Sequence, residues 1–590
     1  MPDSVRHSFT GKHVLITGAS GFLGKVFLAM VLSRLPQIGR IYLLMRPKNG
    51  DSAAARFEAI INHSPCFGPL HQEHGAGLSA FISSRVQVLE GDTTRDDLGF
   101  DASTAQRLRD RLDLIVNCAG DVEFDPDLRD AIGTNVDGTL RVADFARSCG
   151  TDGAALLHVS TCYVVGGRPG FIKEELRADI APNGAAFDSV VEHADVRAVI
   201  AAIEAETDRP EVRAEIAERV EQGARKRGLD PADANVIAML APRYEKRWLK
   251  ERMIAEGRRR ATAWGFRNIY TYSKFLAEAR LAEAVGDVPF AVVRPAIVES
   301  ALAFPFPGWN EGVTTCGPLT HLTSGWFRLF PARPGQPFDI VPVDLICNAL
   351  CAVSAALLRQ QAGASVAVAQ VFQLSTSTRN CLTMLRASDI VSLAHRRYLR
   401  KHGKHFIDRH VLSRWDIMLA EPDHPFRLGN IAKGAQLVER WVARLPDGLP
   451  EPVRRGADRV GAMSKNSGYV ISQVDRMLRA FEPFIHDDHF EFESRAIDAL
   501  PAVEEEFRFA TDRIDWRHYW MEVHLPGLRR WIWPEIDGRE VERFLPEHPF
   551  ELASLDASFA ADAGPDSRAA NDNGPSEAAA PRSVARRVAP

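Results

Sequence analysis

Lys12-His13-Val14-Leu15-Ile16-Thr17-Gly18-Ala19-Ser20-Gly21-Phe22-Leu23-Gly24 decides how the chain folds. Residues 12–17 form a short apolar run and read as a buried strand. A glycine-rich turn follows at once, and residues 25–35 read as a helix. Glycines let a backbone turn tightly and approach a pyrophosphate, and a helix N-terminus offers that anion unpaired N–H groups and a positive dipole end. In this context the pattern is informative where a lone glycine motif is not. Thr17, Gly18, Ser20, Gly21, Phe22, Leu23 and Gly24 are therefore candidates for binding a dinucleotide.

Outward from this stretch, strands and helices alternate. A second strand, 40–45, ends at Arg46. A site selective for NAD puts an acid there for the ribose 2′-hydroxyl. Arg46 and Lys48 stand there instead, with Arg56 nearby, and they match a 2′-phosphate. The cofactor expected is NADP(H). A third strand, 85–89, leads to Asp92, placed to meet an adenine ring. A fourth, 113–116, runs into Asn117-Cys118-Ala119-Gly120, where Asn117 and Ala119 would lie against the cofactor. Residues 128–148 read as a helix containing Asn135, which makes a structural bond or holds a catalytic water. A fifth strand, 154–159, delivers Ser160 and Thr161 to the carboxyl end of the sheet, where ligands bind. A sixth, 289–293, precedes Pro295 and Ile297, the last cofactor candidates. Residues 338–341 read as a seventh strand, 344–358 as a helix and 371–374 as a final strand. The alternation predicts an α/β fold, a doubly wound parallel sheet of the Rossmann type.

Residues 174–268 interrupt the pattern with Ala-, Glu- and Arg-rich amphipathic helices; within them 245–260 reads as a solvated basic face. The expected organisation is a reductase-type domain over 1–375, a mainly helical domain over 376–550 and a disordered tail over 551–590. Six of the ten tryptophans (415, 441, 516, 520, 531 and 533) fall in the second part. The aromatic residues Phe304, Phe306, Trp309, Trp326 and Phe327 line a greasy channel or fill the core. His395, His402, His405 and His410 among many basic residues read as a solvated face that meets phosphates or a membrane surface, and His486-Asp487-Asp488-His489 carries no metal-site spacing. No metal is expected.

Composition excludes several classes. At 590 residues the chain holds two or three domains, and its 45% apolar and 25% charged content is that of a globular protein. A net charge of −5 argues against a nucleic-acid partner. Eight scattered cysteines form no Cys-x-x-Cys pair, and Cys347 with Cys351 reads as core packing. The first eleven residues lack the apolar core of a signal peptide, and the apolar run 345–358 is too short to span a bilayer. The expectation is a cytoplasmic protein without a transmembrane segment.

Tyr270-Thr271-Tyr272-Ser273-Lys274 places a phenol and an ammonium four residues apart, on one helix face. A nearby cation is expected to pull the Tyr270 pKa down toward neutrality, making it a proton donor to an oxygen gaining charge. By itself the spacing is weak. In series with the glycine turn and Ser160-Thr161 it matches the order of extended short-chain dehydrogenase/reductases.

One branch of that superfamily, the alcohol-forming fatty acyl-CoA reductases, is resembled more closely. The resemblance rests on Gly-Ala-Ser-Gly-Phe-Leu-Gly, Leu-Leu-Met-Arg-Pro after the second strand, 158–163, Tyr-Thr-Tyr-Ser-Lys, 293–300, 307–311 and 515–519, and it covers most of 9–534. It implies NADPH-dependent reduction of a long-chain acyl-CoA to an aldehyde and then an alcohol. Tyr270 would protonate the oxyanion, Thr161 or Ser160 would hydrogen-bond to it, and Lys274 would hold the nicotinamide ribose and lower the Tyr270 pKa. The inserted helices and polar tail depart from animal members, whose C-termini often carry a membrane segment, and match a soluble bacterial type. The alternatives are an aldehyde-forming reductase, a sugar-nucleotide epimerase or steroid-type dehydrogenase, and a non-enzymatic NADP sensor. Arg46 and the Trp-rich C-terminal part count against an epimerase, and the intact Tyr270/Lys274 pair counts against a sensor.

Overall fold

The computed structural model describes residues 4–313, 316–325, 327–364, 368–420 and 489–552. Seven parallel strands make the central sheet: β1 (His13–Thr17), β2 (Arg40–Met45), β3 (Val86–Glu90), β4 (Leu114–Asn117), β5 (Ala155–Val159), β6 (Phe290–Pro295) and β7 (Val371–Leu374). Their order is β7-β6-β5-β4-β1-β2-β3. The strands are apolar runs because helices cover both faces. The order reverses between β1 and β4, and this opens a crevice at their carboxyl ends.

The expected strand at 338–341 is not part of this sheet. Ile340–Pro342 pairs with Ile297–Glu299 as a separate two-stranded ribbon beyond the end of β6. Only Ile340–Pro342 are extended, and Pro342 already caps the next helix, so the segment is too short to cross the sheet.

The helices that matter for the site are α1 (Phe22–Arg34), α2 (Ser189–Glu206), α3 (Pro210–Lys226), α4 (Ala234–Ala263), α5 (Ile269–Ala284), α6 (Val343–Gln361) and α7 (Met384–His402). Asn268 starts α5 by accepting the Thr271 N–H at 2.9 Å. The apolar run read at 345–358 belongs to α6, which at 19 residues is long and apolar enough to cross a membrane by length and composition; 94% of it is buried in the core. The insertion forms α2 to α4; α2 and α4 pack beside α5, and α3 packs on α4. One face of α4 is solvated as expected, but Trp248 and Met253 are buried, and buried Arg260 donates to Glu192 at 2.8 Å.

Residues on both sides of position 375 share one core. Trp516, Tyr519 and Trp520 are fully buried in the cluster that contains Val14, Ile16 and α6. Phe490–Phe492 pairs in parallel with Gly170–Ile172. The Glu504 carboxylate accepts the Val5 and Arg6 N–H groups at 2.8 and 3.2 Å, so it caps the first short helix from the far end of the chain. His395 is buried, not part of a solvated face, and its Nδ1 lies 3.2 Å from Arg529 Nη2. Trp326, Trp441, 486–488 and 553–590 lie outside the described residues.

Candidate active site

The cofactor cradle is built from backbone. Gly18 takes φ +73°, and a Cβ there would stand 2.6 Å from the Cys118 carbonyl carbon. A Cβ on Gly24 would come within 2.2 Å of the Gly18 oxygen. Both glycines are needed so that α1 can start against the β1 and β4 loops. Gly21 N-caps α1 without any side-chain cap, so the first N–H groups of the helix stay available to an anion. Ser20 and Gly21 are exposed at the lip, while Phe22 and Leu23 pack partly into the core.

Thr17 and Asn117 are buried and bond to each other: Thr17 Oγ1 donates to Asn117 Oδ1 at 2.7 Å and accepts the Ala119 N–H at 3.1 Å. These side chains brace the β1 and β4 loops from beneath. Arg46 is exposed at the end of β2, and the Arg56 guanidinium donates to its carbonyl, so both cations stand at one corner of the crevice. Asp92 Oδ1 accepts from the N–H and hydroxyl of Thr94 at 2.9 and 2.8 Å, which shapes the turn after β3. Ile297 donates its N–H to Asp339 O at 3.0 Å, while Pro295 ends β6 beside Thr161. These residues fit a nicotinamide dinucleotide: a glycine cradle that any Cβ would fill, a free helix N-terminus and a basic corner.

The reacting groups converge at the ends of β5 and β6. The Tyr270 phenol stands beside the Thr161 hydroxyl. Burial pushes the phenol's pKa up to about 12, and the Thr161 hydroxyl, which favours the ionised form, only partly offsets this. The expectation that Lys274 would pull the phenol toward neutrality is not met. Lys274 instead donates to Val159 O at 3.1 Å, and its own pKa falls to about 8 through burial. The raised value keeps Tyr270 protonated, the state a proton donor requires. Ser160 is buried with its hydroxyl unpartnered, so Thr161 is the hydroxyl that meets the phenol.

Asn135 lies in a π-helical turn, Ile132–Asp137, which aims its amide at the loop after β4. Its Oδ1 accepts the Asp121 N–H at 2.8 Å, and its Nδ2 donates to Asp121 O and Ser273 Oγ at 3.1 and 2.9 Å. It is a clasp between the cofactor loop and α5. A Cβ on Gly120 would meet Lys274 Nζ at 2.9 Å, so this glycine is what lets the lysine in.

Three features escaped the sequence reading. Buried Lys25 pairs with Glu311, which ties α1 to a loop almost three hundred residues away. Asp344 accepts the N–H groups of Leu302, Ala303 and Phe304 at 2.8, 2.8 and 3.0 Å and so shapes the loop leading to Glu311. Glu299, Cys316 and His524 are buried together with their donor atoms within 4.8 Å of one another, a set that could hold a metal ion. Glu299 accepts from the Cys316 N–H at 2.9 Å and Asn310 Nδ2 at 3.1 Å; burial raises it to about 7 and lowers His524 to about 3. Glu299 and Glu311 lie inside stretches quoted for the resemblance, but nothing near His524 signalled such a cluster.

A parallel sheet that reverses at a glycine cradle, with a protonated tyrosine, a threonine and a buried lysine beside it, defines a nicotinamide-dependent oxidoreductase. The sequence profile of the family described as "Male sterility protein", an NAD-binding family, matches residues 16–350, and the chain belongs to that family. It is 27% identical to "Fatty acyl-CoA reductase 8" of Arabidopsis thaliana, over 90% of this chain and 99% of that protein. It is 26% identical to the "Alcohol-forming fatty acyl-CoA reductase" of Simmondsia chinensis, over 89% of this chain and 98% of that one. Among solved structures, the terminal R domain of the myxalamid biosynthetic pathway aligns with a TM-score of 0.45 and 16% identity, over 85% of this chain and 89% of that one.

Proposed function

We propose that this protein reduces long-chain fatty acyl-CoA to fatty alcohol with NADPH, through an aldehyde handled at the same site. The observation that carries the reading is the Tyr270–Thr161 hydroxyl pair beside the glycine cradle, in a chain alignable with acyl-CoA reductases over almost their whole length. Bound NADPH supplies hydride. Tyr270, held protonated by burial, donates to the carbonyl oxygen as that atom gains negative charge, and Thr161 fixes the phenol's direction. Lys274 presents a charge to the cofactor ribose. CoA leaves after the first reduction, and the same hydroxyls serve the second, since no other glycine turn with a Tyr-x-x-x-Lys exists in a suitable context. None of the free cysteines is an obvious nucleophile: burial pushes Cys118 and Cys149 up to about 12.

Arg46 and Arg56 support the NADP(H) preference. The eight free thiols fit a cytoplasmic setting, and fractionation of the producing cells checks it. The test of function is incubation with NADPH and palmitoyl-CoA, with a hydrazine to trap aldehyde. Two NADPH oxidised per CoA released, with alcohol dominant, is the expected outcome. Aldehyde captured at one NADPH per CoA makes the protein an aldehyde-forming reductase, and no CoA release defeats the proposal.

A further inference from the structure

A small open cleft lies beside α5, next to the turn that leaves the active site at Thr161. Its apolar wall includes Val164, Ile172 and Phe275. Val164 belongs to the turn that begins at Thr161, and Phe275 follows Lys274 directly. The two sites also share a wall at the end of β6, where Arg294 O accepts from Cys162 Sγ at 2.9 Å and Pro295 O accepts from Thr161 Oγ1 at 3.5 Å.

The cleft's polar lining is strongly cationic. Arg168, Lys173, Arg177 and Arg294 stand against one carboxylate, Glu175, in a chain whose net charge is −5. Arg294 is buried and neutralised by Glu278, at 2.5 Å, and Arg177 pairs with Glu175 at 2.7 Å. Among the described residues Arg168 and Lys173 make no side-chain hydrogen bond or close ion pair, and Arg168 feels Glu175 only as a more distant charge. Arg168 is half-buried, and burial and then repulsion from Arg177 hold its pKa below the ordinary arginine value. Folding thus leaves one guanidinium and one ammonium at the edge of a cleft without an ion pair of their own, where an added anion would be stabilised. An arginine fork suits a phosphate, whose oxygens it meets in pairs.

We propose that this cleft binds a phosphate of the substrate's CoA portion, with Arg168 as its principal ligand and Lys173 and Arg177 in support. The inference rests on the acyl-CoA reading above. It separates the molecule into an end that reacts at Tyr270 and an end that is gripped beyond Thr161. The aldehyde of the second reduction carries no phosphate and does not use this grip, so CoA can leave while the chain stays.

The experiment compares palmitoyl-CoA with hexadecanal, which needs the same chemistry and lacks CoA. In Arg168→Ala the KM for palmitoyl-CoA is expected to rise about tenfold or more, the scale of a lost charge-assisted hydrogen bond, with KM and kcat for hexadecanal within about twofold of wild type. Arg168→Lys keeps the charge without the fork and falls between the two. Titration of CoA alone into wild type and Arg168→Ala gives a binding readout that needs no turnover, so a wild type that binds CoA without reducing its thioester fails the function and not the cleft. Palmitoyl on a carrier protein distinguishes the phosphates: a rise for both thioesters assigns the pantetheine phosphate, and a rise for CoA alone assigns the nucleotide phosphates. Unchanged KM for palmitoyl-CoA in both variants overturns the proposal, and so does equal loss with hexadecanal.

Discussion

The two halves of the crevice are built by different means. The cradle of the cofactor half is one continuous stretch, 13–24, closed against the β4 loop by Gly18 and Gly24, whose Cβ positions are already filled. The reacting half is assembled from side chains on β5, α5 and the segment after β6, steadied by Glu299, Glu311 and residues beyond 500. Local backbone shape makes the first, and long-range burial makes the second. The first should tolerate changes elsewhere, while the second should fail when a remote support is removed.

The largest effect should come from Tyr270→Phe. Loss of a general acid costs about 10²–10⁴-fold. NADPH oxidation should drop on that scale while cofactor affinity, measured by fluorescence titration, barely changes. A variant that keeps a tenth of wild-type kcat would place the proton donor elsewhere.

Next comes Asp344→Ala, which removes the acceptor of three partly buried N–H groups. Each unsatisfied group costs about 1–3 kcal/mol. Thermal unfolding should begin at a distinctly lower temperature, and KM should rise more for palmitoyl-CoA than for NADPH. Equal rises for both substrates would mean that the halves are not separately supported.

Arg46→Ala tests the basic corner of the cofactor half. A lost charge-assisted bond is worth about 1.5–3 kcal/mol, so the preference for NADPH over NADH should shrink at least about tenfold. A wild type that uses both cofactors equally well defeats the assignment.

The smallest effect is one of pH. Lys274 loses its proton near pH 8, so kcat/KM for NADPH should fall as pH rises through that value. Stability moves the other way. The folded pKa lies below that of a free lysine, so the unfolded chain holds this proton more tightly, and between about pH 8 and 10 the group's contribution to stability grows with pH. A flat rate profile from pH 7 to 9 would show that the ammonium does not serve the cofactor.

Much of this was legible in the chain. Val14–Thr17 followed by Gly18 could be read because a strand, a tight turn and a helix start are properties of neighbours in sequence. Tyr270 and Lys274 could be read because four residues make one helical turn. Thr161 could be placed because it follows an apolar strand directly. The helical insertion was visible in its composition, and two of its three helices pack beside α5 while the other packs on α4.

Tertiary structure decided the rest. The charge of Lys274 acts at Val159 O, and the phenol is governed by burial, because solvation depends on everything packed around a group and not on its helix neighbours. Residues 340–342 left the sheet because a strand needs a partner, and theirs lies past the end of β6. Lys25 with Glu311 and Glu299 with His524 are meetings of distant segments. Spacing along a chain determines which neighbours can turn together, whereas only the closed core determines which charges must share a space without water.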